Sequence, residues 1–299
     1  MKRLNFFKSA GLACFCLGAA VFFASCKTTG GEASAAVAAK KTPFEVLSND
    51  SAVYLKMPVK ENMDLATQII ISKVQGISEK DAKRLAKQIN VLWAGLSSKD
   101  NLNRAEFYAS GSYPPAALAS VLTDKNGWKK KNFLSPTEDD IPYYMHSSAK
   151  MEISFPSTSV LCASTNVKTM LGNLYSTNTN TAEYVSWMEN KGGEDSSLIK
   201  FYVTDASKFI GNFMGGMIPN SKNFAANCKD IYGTLLQKSG EDYLLSLKIN
   251  LNNPKAAGAY MSMLKLGFAL AGITVTQPDE KTIAVQDIPV KQSQILSLL

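Results

Sequence analysis

From residue 44 onward the chain alternates short apolar runs of strand length with longer stretches whose large apolar residues recur every three or four positions. Residues 51–58 read as a strand and 62–74 as a helix; a polar helix over 79–89 runs into a strand over 91–97. The strand at 106–113 leads through Pro114 and Pro115 into a helix ending at Leu122. Proline is tolerated there because the N–H groups of a first helical turn have no partner to lose. Strands at 151–155 and 159–163 and a helix at 167–174 follow. The same order then recurs: strand 197–204, helices 206–217 and 221–228, strands 230–237 and 242–249, helix 254–270, strands 273–276 and 282–286, and a helix at 290–298. Val167-Lys168 and Val290-Lys291 fall at matching places in the two runs. Polar, Gly-containing segments at 176–181 and 191–197 bracket a short helix and mark the seam. The expectation is an α+β chain of two related halves, 44–190 and 195–299. Each is a mainly antiparallel sheet, because its strands are joined by short turns, with helices packed on one face.

The first 43 residues do not share this pattern. Lys2, Arg3 and Lys8 form a basic start, and residues 10–23 are an uncharged apolar run. At about 14 residues the run is shorter than the roughly 20 that span a bilayer, and reads as an export signal over 1–25. Phe23-Ala24-Ser25 before Cys26 resembles the lipobox of bacterial lipoproteins, with Phe23 where the common pattern has Leu. The resemblance implies cleavage before Cys26 and acylation there, by diacylglycerol on sulfur and usually a further acyl chain on nitrogen. One chain holds a protein only marginally, whereas two or three hold it stably. Residues 26–43 are small and polar and read as a flexible tether.

Composition adds limits. A hydrophobic content of 45% supports a packed core, and the formal charge of +7 includes three charges from the leader. The remainder is too small to point to nucleic acid. Beyond Cys26 the exported chain carries Cys162 and Cys228, without metal-ligand spacing. Either they pair or both are buried thiols, and nothing local suggests pairing.

Catalytic patterns are missing. His146 is the single histidine, and there is no nucleophile elbow, zinc-protease helix, phosphate-binding loop or paired Cys motif. Glu138-Asp139-Asp140 reads as a solvated loop lacking the spacing of a calcium loop. Lys129-Lys130-Lys131 beside Trp128 reads as a solvated face or a contact for lipid phosphate. The expectation is a non-enzymatic protein with no catalytic residue, metal or cofactor.

The helices carry more information. Phe209, Ile210, Phe213, Met214, Met217 and Ile218 form one broad stripe at helical period, thinned by Gly211, Gly215 and Gly216. Residues 256–272 include Tyr260, Met261, Met263, Leu264, Leu266, Phe268 and Leu270, with Lys265 their only charge. Leu65, Ile69, Ile70, Ile71 and Val74 make a shorter stripe. Such stripes either face a sheet as core or meet lipid. Phe209, Ile210, Phe213, Met214, Met217, Ile218, Tyr260, Met263, Leu264 and Phe268 are the candidate lipid contacts. A loose lipobox, a two-part body and several amphipathic helices make the whole chain similar to the outer-membrane-associated lipoproteins of spirochaetes. That resemblance implies helices that insert into the inner leaflet, and an envelope protein anchored by its acyl chains, at the outer membrane. The expected function is binding of lipid or the bilayer surface. The alternative is a scaffold that binds an envelope protein in a groove between its halves.

Overall fold

Val53–Pro58 (β1) buries Tyr54, Leu55 and Met57, and Ile199–Val203 (β8) is buried at all five positions. Strands apolar on both sides need cover on both faces, which places them in the middle of a sheet. The two pair antiparallel with Val53 opposite Val203, Tyr54 opposite Tyr202, Leu55 opposite Phe201 and Lys56 opposite Lys200. The computed structural model describes residues 41–73, 78–97, 104–136, 139–146, 151–176, 182–189, 198–213, 221–269 and 271–296.

The other strands are Ile89–Ser97 (β2), Arg104–Gly111 (β3), Trp128–Leu134 (β4), Asp140–His146 (β5), Glu152–Ser157 (β6), Val160–Ser164 (β7), Cys228–Ser239 (β9), Asp242–Leu251 (β10), Thr274–Thr276 (β11) and Thr282–Lys291 (β12). All join one 12-stranded sheet in the order β11-β12-β10-β9-β8-β1-β2-β3-β7-β6-β5-β4. Every neighbouring pair is antiparallel. The α+β class and the antiparallel pairing match the sequence reading, and the two stretches of strands merge into a single sheet. Gly233 is required where β9 runs between β8 and β10, since a Cβ there would collide with the Ser246 carbonyl.

The helices are Pro43–Val46 (α1), Met63–Lys73 (α2), Glu79–Gln88 (α3), Pro115–Val121 (α4), Val167–Tyr175 (α5), Glu183–Glu189 (α6), Ala206–Phe213 (α7), Ser221–Asn227 (α8), Pro254–Ala269 (α9) and Gln292–Leu296 (α10). On one face of the sheet Leu55, Met57, Ala94, Phe201, Ile231 and Leu247 meet apolar residues of α2, α3, α7, α8, α9 and α10. On the opposite face Tyr54, Tyr108, Cys162 and Tyr202 lie beneath α1, α5 and α6. Tyr54 stacks on Tyr184 of α6 with ring centroids 4.0 Å apart. Helices therefore cover both faces, not one, because the central strands are apolar at odd and even positions alike.

Two local details differ from the sequence reading. Lys129, Lys130 and Lys131 are exposed as expected but lie within β4, Glu138 lies outside the described residues, and Asp140 opens β5. The two strands form a hairpin in which Trp128 pairs with His146 and Leu134 with Asp140. The polar residues between its apolar positions hid the strands. Residues 290–291 end β12 and do not begin a helix, so Val290-Lys291 is not the counterpart of Val167-Lys168, which opens α5.

Candidate membrane-facing site

Asn253 starts α9: its side-chain oxygen accepts the Lys255 N–H at 2.8 Å, and Pro254 takes the first position. Gly272, at φ 67°, turns the chain after the helix toward β11. Between these limits Ala257, Met261, Leu264 and Phe268 recur at helical spacing and are buried against the sheet. Tyr260 and Met263 flank this stripe, half-buried. The Tyr260 ring meets Phe224 edge-on at 4.5 Å, and its hydroxyl accepts from Asn227 Nδ2 at 3.3 Å.

The outward side of α9 consists of Gly258, Ala259, Ser262, Lys265, Leu266 and Ala269, all exposed. Leu266 is 81% exposed. No Asp or Glu occurs anywhere in Pro254–Ala269, while Lys255 and Lys265 are exposed cations. The helix thus shows solvent a surface of small residues, one large apolar side chain and positive charge.

In α7, Phe209 is buried and stacks on Phe201 at 5.4 Å, and Ile210 is fully buried. Phe213 is the last residue of α7, and only its backbone is described. Met214, Met217, Ile218 and Cys26 lie outside the described residues. Of the ten residues proposed as lipid contacts, Phe209, Ile210, Leu264 and Phe268 thus line the core, and Tyr260 and Met263 sit at its margin. Leu266, the most exposed apolar position on α9, was not among the ten. It could have been found by phase, since two residues along a helix turn about 200° and carry Leu266 to the side opposite Leu264.

Cys162 is fully buried; its thiol is pushed up to about 12 by burial and then by the nearby Glu106 carboxylate. Burial, with Asp230 beside it, likewise pushes Cys228 up to about 12. Both thiols are free, and burial favours their protonated form. His146 packs edge-on against Trp128 at 4.9 Å. The buried Asp230 accepts from Tyr202 OH at 2.9 Å and Asn250 Nδ2 at 2.7 Å. Among the described residues no three His, Cys, Asp or Glu side chains group as metal ligands, and no helix is long and apolar enough to cross a membrane. Two surface depressions, about 500 and 370 Å³, are lined by Asp124, Gly127, Lys129 and Lys130 and by Lys229, Asn250, Asn252, Lys281 and neighbours.

An antiparallel α+β body behind residues that resemble a lipobox is the pattern expected of a membrane-associated envelope lipoprotein. The profile of the family described as outer membrane-associated lipoprotein TP0453 matches residues 38–296, and the chain belongs to that family. It is accordingly a membrane-anchored lipoprotein of the envelope, associated with the outer membrane. Crystal form I of TP0453, a spirochaete lipoprotein, superposes with a TM-score of 0.68 at 17% identity, covering 87% of this chain and 97% of that one. Crystal form III gives 0.63 at 18% identity over 87% and 98%. At these identities the likeness is one of fold. No curated protein sequence matches the chain.

Proposed function

We propose that this lipoprotein is acylated at Cys26, has no catalytic activity, and engages the bilayer surface through its amphipathic helices, with the outward side of α9 making first contact. The observation that carries the reading is the surface of α9: Leu266 81% exposed, small residues around it, two lysines and no carboxylate. A helix with an exposed leucine and positive charge partitions to the headgroup boundary by apolar burial plus attraction to anionic lipid. Phe209, Ile210, Leu264 and Phe268 reach lipid only if α7 and α9 leave the sheet. Exposing each such side chain to water costs about 1.5–3 kcal/mol, and a bilayer that buries it again returns most of that. Surface contact through Leu266 needs no such opening.

The test is co-flotation of residues 27–299, without the lipid, on vesicles. The body is expected to float, and Leu266→Asp to weaken flotation without changing the melting temperature. A body that stays at the bottom of the gradient with every vesicle would leave the acyl chains as sole anchor and turn the reading toward an envelope protein partner.

A further inference from the structure

At the other end of the sheet, β4 pairs with β5 on one side and has no partner strand on the other among the described residues. Successive side chains of a strand leave opposite faces, so three consecutive lysines inside a sheet divide their charge between two surfaces. On an outermost strand both faces border the same free edge, and flexible lysine stems from either face reach one surface. Lys129, Lys130 and Lys131 are all exposed, as is Lys125 in the turn just before β4. Across the ladder stand Met145, Tyr144 and Tyr143, so β5 offers no carboxylate to them. Asp124 is the acid beside the depression that Lys129 and Lys130 line. Among the described residues none of the four lysines is held in an ion pair. The strand ends on Leu134, 64% exposed, which with Leu266 makes up the exposed large apolar side chains of the described residues.

A lysine on an edge strand also blocks pairing with other chains. Charge on one or two residues achieves that, whereas this edge concentrates four cations and adds an exposed leucine, which works against protection. We propose that the β4 edge is a second, electrostatic membrane contact that binds the surface of a bilayer containing anionic phospholipid. Lys125, Lys129, Lys130 and Lys131 lie against the headgroup phosphates, and Leu134 sits at the acyl boundary. Each lysine near such a surface strengthens attraction by roughly fivefold, and the effect decays within a Debye length. The proposal stands on the β4 edge and does not depend on α9.

The full-length acylated protein is anchored on vesicles of phosphatidylcholine, or of phosphatidylcholine with about one third phosphatidylglycerol, and its lysines are acetylated with a water-soluble reagent. Mass spectrometry reads each site. Labelling of Lys125, Lys129, Lys130 and Lys131 is expected to fall at least about fivefold on the anionic vesicles. Protection should vanish in about 1 M salt, where the Debye length is roughly 3 Å. The exposed Lys83 and Lys87 on α3 and Lys238 on β9 should label alike on both vesicles. The same pattern is expected in Leu266→Asp. Equal labelling of the four lysines on both vesicles, or an even fall across the control lysines, would overturn the proposal. So would loss of the pattern in Leu266→Asp, because the edge would then be following α9.

Discussion

Glu106, 1% exposed, ties the segment after α1 to β3. Its carboxylate accepts from the Ser48 N–H at 2.6 Å and the Ser48 hydroxyl at 2.7 Å, and Arg104 Nε lies 3.7 Å away. Removing one partner of a buried charged network leaves the others desolvated and unpaired. Glu106→Ala is expected to lower stability by about 3–5 kcal/mol, read from the midpoint of a urea titration. The buried thiols and phenols give a second prediction. Cys162, Cys228, Tyr108, Tyr175 and Tyr243 are all pushed up to about 12, chiefly by burial. In the unfolded chain Cys loses its proton near pH 8.5 and Tyr near 10, while the folded chain keeps both. The native state therefore binds more protons over this interval, and its stability falls as pH rises. Melting temperature should hold up to about pH 8 and drop steeply between about pH 9 and 12. An unchanged melting temperature at pH 11 would contradict the burial of these groups.

On α9, burial and exposure alternate within two residues, and the two sides answer differently to substitution. Phe268→Ala removes a ring packed on the sheet and should cost about 3–5 kcal/mol. Leu266→Asp changes an exposed position and should alter stability by no more than about 0.5 kcal/mol. Urea titrations of the two variants check this, and comparable losses would mean that Leu266 is covered. The stripe on 254–270 was legible as helical, but its hydrophobicity nearly all round concealed which side faces the sheet. The same limit applied to Phe209 and Ile210, whose period fits either core or lipid. β4 and β5 were missed for another reason: an edge hairpin buries few residues, so Lys129 to Lys131 diluted the alternation that marks a strand.

Across the whole molecule, β8 decides how the sheet holds together. All five of its residues are buried, with β1 on one side and β9 on the other. Outward from the β1–β8 pair the strands run β1-β2-β3-β7-β6 in one direction and β8-β9-β10-β12-β11 in the other, with β5 and β4 added beyond β6. The two stretches of strands are not expected to fold apart, since cutting between β1 and β8 bares an apolar edge. Residues 195–299 expressed alone should show no cooperative melt and should aggregate; a sharp thermal transition from a soluble monomer would refute this. The basic β4 edge and β11, the strand that follows α9, are at opposite ends of the sheet, roughly 50 Å apart along it at about 4.8 Å per strand. The two proposed lipid contacts are therefore separable: attachment through the edge should be lost in about 1 M salt, whereas the apolar part of the attachment through Leu266 should remain.

The sequence alone determined what depends on local pattern: the helix and strand periods, the antiparallel α+β class, and the resemblance to a lipoprotein family. Those follow from runs of neighbouring residues, where period and turn chemistry act directly. Tertiary structure decided that the strands form one sheet covered on both faces, that Phe209, Ile210, Leu264 and Phe268 pack inward, and that Leu266 and the lysines of β4 are exposed. Those depend on which surfaces meet across the fold, and a period of three and a half residues marks an apolar side without naming what covers it.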